Sequence, residues 1–349
     1  MKTTKLPKSA LESFVTLLAQ FGEVHAPVAR SGGFAFERLT RWDDVRLDYT
    51  RTLLPPKKYL LPPRETLFHF DGEQGYTAEA EDVRKRIVLF GVHPCDVYGM
   101  NILEEVYGQK SKFPDPYFES RRRNVVLVGI DCVPDEFCFC QSMRADFVEH
   151  GFDLFLYDIG DDYLVLVGTA LGDDIVIAGR KLVREVTPAD IDEYKQRSTD
   201  KREQLQRSVA IHELPEIFEI EWDSPLWDEL GERCLSCGIC TTVCPTCYCY
   251  EQRDTVELGH CAGQRMRCWD SCLFHTHAMV AGGENFRENR TDRIKFRFYH
   301  KQRGFVAEYG RPSCVGCGRC TVACPVGIDM IDVIDRLRGN RDASQPARA

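Results

Sequence analysis

Cys234-Leu-Ser-Cys237-Gly-Ile-Cys240-Thr-Thr-Val-Cys244-Pro245 and Cys314-Val-Gly-Cys317-Gly-Arg-Cys320-Thr-Val-Ala-Cys324-Pro325 decide the reading of this chain. The two stretches agree position for position in their cysteines and in the proline that closes each. Two-residue spacers let three thiolates of one tight loop wrap a single 4Fe–4S cubane, while the fourth cysteine opens the next segment and points elsewhere. Gly238 and Gly318 let the backbone come close to such a group. Zinc is the alternative. It takes four ligands, usually as two separated pairs, and two four-cysteine runs with a terminal proline suit it poorly.

In two-cluster ferredoxins the fourth cysteine of each run ligates the other cluster. The expected sets are therefore Cys234, Cys237, Cys240 and Cys324 for one cluster, and Cys314, Cys317, Cys320 and Cys244 for the other. Compact ferredoxins join their runs by a short link. Here residues 245–313 intervene, an insertion that can keep or break the pseudo-twofold relation.

Working outward, the chain has 349 residues and 17 cysteines, four before residue 230 and thirteen from Cys234 to Cys324. Such a content is low for a secreted disulfide scaffold and very high for a cytosolic enzyme. In a reducing compartment thiols are kept for metals or redox chemistry rather than for disulfides. Lys and Arg number 45 against 54 Asp and Glu, net −9, which argues against a nucleic-acid binder. The acid excess lies before Cys234, and the remainder is mildly basic. No apolar run approaches the roughly 20 residues that span a bilayer, and Met1-Lys-Thr-Thr-Lys-Leu does not read as an export signal. A cytoplasmic location is expected.

The expected fold class is α+β/α/β: an acidic α/β domain over 1–230, a bacterial dicluster ferredoxin-like domain with a long insertion over 231–340, and a disordered tail over 341–349. In the first part, Leu11, Phe14, Leu17, Leu18 and Phe21 share one helical face over 9–21. Residues 53–63, with prolines at 55, 56, 62 and 63, read as extended. The runs 86–92, 124–130 and 163–168 read as buried strands, with 174–178 as a fourth. Thr187-Pro-Ala-Asp opens a helix with a cap, a proline in the first helical position and early acids. It runs to about residue 208 and reads as a solvated connector.

With these motifs in place, the chain resembles the iron–sulfur β subunit of soluble sulfhydrogenases and the A subunit of anaerobic sulfite reductases. The resemblance covers nearly the whole chain. It is carried by Gly91-Val-His-Pro-Cys95-Asp96, by Asp131-Cys132 through Cys138-Phe-Cys140, by Cys234 to Cys249 ending Cys-Pro-Thr-Cys-Tyr-Cys, by Trp269-Asp-Ser-Cys272, and by the closing run. It implies an electron-transfer subunit of a multi-subunit oxidoreductase. The subunit stands between a flavoprotein of ferredoxin-reductase type, which handles a nicotinamide, and a catalytic hydrogenase or sulfite/sulfur reductase subunit. No G-x-G-x-x-G follows a strand and there is no Walker loop, so flavin, nicotinamide and the terminal catalytic metal are expected on other chains. The other function class is a polysulfide or disulfide reductase with its own thiol or cluster site.

Cys95 and Cys132 each follow a strand, where α/β sheets collect ligands, and Cys138 and Cys140 share the loop of Cys132. Together the four can enclose a third 4Fe–4S cluster. Zinc or free thiols are the alternatives. Cys247, Cys249, Cys261, Cys268 and Cys272 remain, for core packing, a further cluster or a substrate-sulfur site. The basic and aromatic segment Phe286–Phe305 is read as cations set against an anionic cluster or as a docking face. His275 and His277 are read as packing or surface residues.

Overall fold

The computed structural model describes residues 2–72, 75–78, 86–259 and 261–339. The tail 341–349 lies outside them. The chain divides into two compact units. One is Met1–Leu60, Asp82–Arg207 and Val315–Cys317; the other is Leu61–Glu81, Ser208–Cys314 and Gly318–Ala349.

The first unit is built on a seven-stranded sheet. Its strands run in the order Lys2–Pro7, Asp162–Val167, Leu154–Asp158, Val125–Ile130, Ile87–Val92, Glu23–Arg30, Gly33–Arg38. The four central neighbours pair parallel and the edges antiparallel. All six residues of Val125–Ile130 are buried, as in a parallel strand covered on both faces. Helix Leu11–Leu18 lays Leu11, Phe14, Val15 and Leu18 into the core beside Val88, Val128, Leu154 and Leu156. Gly91, at φ +84°, sits where the pairing of Ile87–Val92 with Val125–Ile130 slips by one residue. A Cβ there would press on Pro27 and Leu47 at 3.2–3.3 Å. This bulge delivers the chain to His93 and to helix Pro94–Tyr107.

Three expectations need correction. Residues 174–178 are not a strand but the end of helix Ala170–Ala178, because Thr169 caps it by accepting from the Gly172 N–H, and Asp173 lies in its first turn. Ile175 and Val176 then bury one face. The capped helix at 187 spans Pro188–Glu203, with the capping box of Thr187 and Asp190. It is solvated over most of its length, as expected, but it does more than connect, since Tyr194 packs on Tyr157 with ring centroids 4.9 Å apart and Lys201 is buried. The proline-rich stretch is not extended throughout, because Pro56–Tyr59 form a 3-10 turn.

The second unit holds a four-stranded antiparallel sheet in the order Tyr250–Val256, Ala262–Trp269, Arg64–Asp71, Gly75–Ala78. Two of these strands come from the insertion and two from residues 61–81. The buried Arg267 donates from Nε to Glu65 at 2.6 Å across the sheet. Helices Leu226–Arg233 and Arg290–Tyr299 carry Trp227, Phe298 and Tyr299, which meet Phe218 in one aromatic group. Helix Met330–Leu337 is capped by Asp329, which accepts from the Ile331 and Asp332 N–H groups, and it buries Met330, Ile331, Val333, Ile334 and Leu337.

Candidate metal centre

The two cysteine runs fold alike. The third residue of each is left-handed, Ser236 at φ +53° and Gly316 at φ +65°, and so is the fifth, Gly238 at +73° and Gly318 at +69°. Each fifth residue opens a one-turn helix, Ile239–Thr242 or Arg319–Val322. The backbone bonds repeat. Thr241 and Thr242 N–H donate to Gly238 O at 3.1 Å, and Thr321 and Val322 N–H donate to Gly318 O at 3.1 Å. Cys244 and Cys324 close the turns on Thr241 O and Thr321 O, both at 3.3 Å. A Cβ on Gly238 would lie 2.5 Å from the Phe274 ring, so the position is closed to larger residues on two grounds.

Cys234, Cys237, Cys240 and Cys324 line one cavity, joined at its wall by Cys320. The cavity encloses about 480 Å³ including its open mouth, and Leu273, Ile294, Phe298 and Met330 complete it with apolar surface. Arg297, 4% exposed, reaches into the same lining. Burial works against its charge, but the thiolates of Cys240, Cys320, Cys247 and Cys244 outweigh that and hold the guanidinium protonated. One Nη donates to Cys240 O at 3.3 Å, while the buried Nε finds no hydrogen-bond partner among the described residues. Burial pushes the Cys240 thiol up to about 11, so its thiolate needs a compensating positive charge. Iron bound there would supply one, and ligation would release the proton.

Lys301 repeats the theme beside the second run. It is 3% exposed and donates to Thr246 Oγ1 at 2.8 Å. Burial opposes its charge, and Cys244, Cys247 and Cys314 raise its pKa overall. The basic segment thus turns inward at Arg293, Arg297 and Lys301, all buried. Cys317 falls in the first unit, where the Phe139 N–H donates to Gly316 O at 2.9 Å.

The donor chemistry fits iron–sulfur clusters. Several thiols surround a volume lined by apolar side chains, with a buried cation to balance an anionic group. Among the described residues, no three His, Cys, Asp or Glu side chains close on a point that would hold a single ion.

In the first unit, Cys132, Cys138 and Cys140 are neighbours. Burial drives all three thiols upward, Cys132 to about 12, and each of Cys132 and Cys140 is raised further by the charge of Cys138. Asp96, next to Cys95, is among the charges that Cys132 feels. Two cations stand beside these thiols. Arg51 pairs with Asp135 and approaches Cys138 Sγ at 3.9 Å. Lys201 pairs with Asp131 and donates to Asp146 O at 2.7 Å. Burial works against the Lys201 charge, yet Cys132, Asp131 and Cys140 raise its pKa. Lys201 escaped the sequence reading because it belongs to a charge-dense helix. Its signal was the helical spacing Tyr194, Ser198, Lys201 on the face that packs inward.

Of the leftover cysteines, Cys249 and Cys272 each shift the ionisation of the other. His277 is hydrogen-bonded to Asp270 and also bears on the ionisation of Cys249. Thus His277, expected as a packing or surface residue, is part of a polar site. Cys268 lies on strand Ala262–Trp269 opposite Glu251, and Cys261 is exposed.

Among the described residues no helix is long and apolar enough to cross a membrane. A family described as a 4Fe-4S dicluster domain matches residues 233–328. The chain is 40% identical to the protein named Sulfhydrogenase 2 subunit beta of Pyrococcus furiosus over 338 residues, 97% of this chain and 99% of that one.

Proposed function

The chain belongs to the sulfhydrogenase β-subunit family and is an iron–sulfur electron-transfer subunit, and we propose that it relays electrons in the cytoplasm between a nicotinamide-reactive flavoprotein of ferredoxin-reductase type and a catalytic hydrogenase or sulfite/sulfur reductase subunit. Its dicluster domain carries two 4Fe–4S clusters. For one, the proposed ligands are Cys234, Cys237, Cys240 and Cys324; for the other, Cys314, Cys317, Cys320 and Cys244. The observation that carries this reading is the thiol-lined cavity with Arg297 at its wall.

A 4Fe–4S cluster supplies one-electron redox chemistry. The work of this chain's residues is to bind and to tune. Leu273, Ile294, Phe298 and Met330 keep water from the thiolates. Arg297 and Lys301 set fixed positive charge beside them, which favours the more reduced, more negative state and raises the potential.

A third 4Fe–4S cluster is proposed at Cys95, Cys132, Cys138 and Cys140. The charges of Cys132 and Cys138 that bear on Cys140, and the buried Lys201, support it. The test is composition. Anaerobically reconstituted protein is expected to hold about twelve iron and twelve acid-labile sulfide per chain, from three clusters of four. About eight of each would remove the third cluster, and stoichiometric zinc without iron would overturn the reading as a whole.

A further inference from the structure

The two cysteine runs agree in their ligands and in the proline that follows, and they part at the next residue. Cys244-Pro245 is followed by Thr246, and Cys324-Pro325 by Val326. Val326 lines the apolar cavity of Cys234, Cys237, Cys240 and Cys324. There the Cys324 Sγ accepts from the Ile328 backbone N–H at 3.3 Å. Thr246, 1% exposed, places its Oγ1 3.2 Å from Cys244 Sγ, and the same oxygen accepts from Lys301 Nζ at 2.8 Å. The direction of these bonds follows from what each atom can do. An ammonium has donors and no acceptor, so Thr246 Oγ1 accepts from it. The single hydroxyl proton is then left for the sulfur, and a thiolate, which has no proton, accepts it. Lys301 Nζ–H···Thr246 Oγ1–H···Cys244 Sγ is therefore a hydrogen-bond chain that ends on a ligand thiol.

The local fold holds this chain of bonds in place. Helix Arg290–Tyr299 passes into a single π turn, His300–Gly304, and resumes as Phe305–Tyr309. Such turns are rare and concentrate at functional sites. This one carries Lys301 and Gln302 inward, 3% and 0% exposed. Its His300 Nε2 meets Tyr248 Oη at 3.0 Å, two residues beyond Thr246. The Lys301 carbonyl accepts from the Ser313 N–H at 2.9 Å, one residue before Cys314. One turn thereby fixes both the segment that follows Cys244 and the segment that precedes Cys314.

We propose that Thr246 and Lys301 are positioning residues that set the two clusters of the dicluster domain apart: the Thr246 hydroxyl, polarised by the Lys301 ammonium, donates to the Cys244 thiolate and makes the cluster held there easier to reduce than it would be beside a valine. The inference rests on Cys244 being a ligand, as proposed above. Reduction by one electron adds negative charge that spreads onto the ligand sulfurs. A charge-assisted hydrogen bond to such a sulfur strengthens as that charge grows, and so favours the reduced state. No proton moves, because the hydroxyl keeps its hydrogen. Arg297 does not draw the same distinction, since its Nη donates to Cys240 O rather than to a sulfur. Burial works against both cations. The thiols that sustain the Arg297 charge come from both proposed ligand sets, Cys240 from one and Cys320 and Cys244 from the other. Those that sustain Lys301 include Cys244 and Cys314, both of one set.

The test is a redox titration of the anaerobically reconstituted full chain, followed by electron paramagnetic resonance, with iron counted on the same samples. Thr246→Val gives this run the residue that the other has at 326. It should shift one midpoint potential downward, by about tenfold in the one-electron reduction equilibrium or about 59 mV, and leave the others in place. Thr246→Ser keeps a hydroxyl and should restore most of the wild-type value. Lys301→Met should lower the same potential. Thr246→Val added to Lys301→Met should shift it less than Thr246→Val does alone, because the two residues act in series. Iron per chain should match the wild type throughout. Unmoved potentials in Thr246→Val at full iron overturn the inference and leave the ligand assignment standing. A shift that Thr246→Ser shares in full would trace to packing, and an equal shift of every potential to a general field; either overturns it. Loss of about four iron from Thr246→Val would make the threonine part of the site's assembly and end the tuning role. Stoichiometric zinc in place of iron in the wild type would overturn the ligand assignment, and this inference with it.

Discussion

Lys201 in the first unit and Arg297 in the second are both buried cations among thiols, but the backbones that carry those thiols are stabilised by different things. Cys132, Cys138 and Cys140 hang from the end of strand Val125–Ile130, in a sheet whose core of Phe14, Val88, Val128, Leu154 and Val165 is complete without them. The second unit's first run has no such support. Ile239–Thr242 is a single turn, Ser236 and Gly238 are left-handed, and the apolar side chains around the run face the cavity itself. A four-residue helix is far below the length that is stable alone in water. If the first site holds the proposed cluster, losing its iron should leave a finished scaffold, whereas losing iron from the second should take away what the scaffold is folded around.

The largest expected effect follows from this contrast. Cys237 is exposed, so Cys237→Ser costs almost no packing. It should nevertheless remove about four iron and destabilise the second unit, because ligation is part of its folding free energy. A loss of even about 3 kcal/mol would lower the melting temperature by roughly 10 °C in a domain of this size. Iron analysis beside a calorimetric scan checks it. A variant that loses the iron and melts with the wild type would erase the distinction between the two units.

The same comparison predicts a milder outcome for Cys95→Ala. If the third cluster is present, about four iron should leave while the seven-stranded sheet persists, at a cost on the order of 1 kcal/mol. Nicotinamide-linked turnover of the assembled complex should fall sharply. Unchanged iron with full turnover would reduce Cys95, Cys132, Cys138 and Cys140 to packing.

How far the sequence led depends on the range over which each feature is determined. The ferredoxin runs were legible because their chemistry lies within twelve residues, in spacers and glycines that admit few structures. The strands 87–92, 125–130 and 162–167 were legible because burial on both faces demands unbroken apolar runs. Residues 174–178 misled because Ile-Val-Ile is as apolar in a helix as in a strand; the arbiter was Thr169, whose cap sets the helix five residues earlier. The Asp270–His277 contact was invisible for another reason. A turn separates the two residues, and nothing local in Phe-His-Thr-His says which histidine folds back.

That contact also gives the smallest expected effect, and it falls on the second unit alone. The His277 pKa is raised from its ordinary 6.5 to about 9, first by the Asp270 hydrogen bond and then by Cys249. A group bound more tightly to its proton when folded stabilises the fold fully below its unfolded pKa, and that contribution is lost as pH rises through the folded value. The stability difference between wild type and His277→Gln should therefore be greatest at or below about pH 6.5, shrink steadily toward pH 9, and vanish above it. The Lys5–Asp190 pair that ties down helix Pro188–Glu203 in the first unit does not titrate in this window, because it lowers Asp190 to about 2 and raises Lys5 above its ordinary value, so the pair stays charged throughout. Hydrogen exchange resolved by peptide, compared at pH 6.5 and 9.5 after correction for intrinsic rates, separates the units. Peptides over 262–278 should lose protection in the wild type at the higher pH and change little in His277→Gln, while those over 188–203 should respond to neither. Equal loosening of both segments in the wild type would mean that the alkaline transition belongs to the clusters rather than to His277.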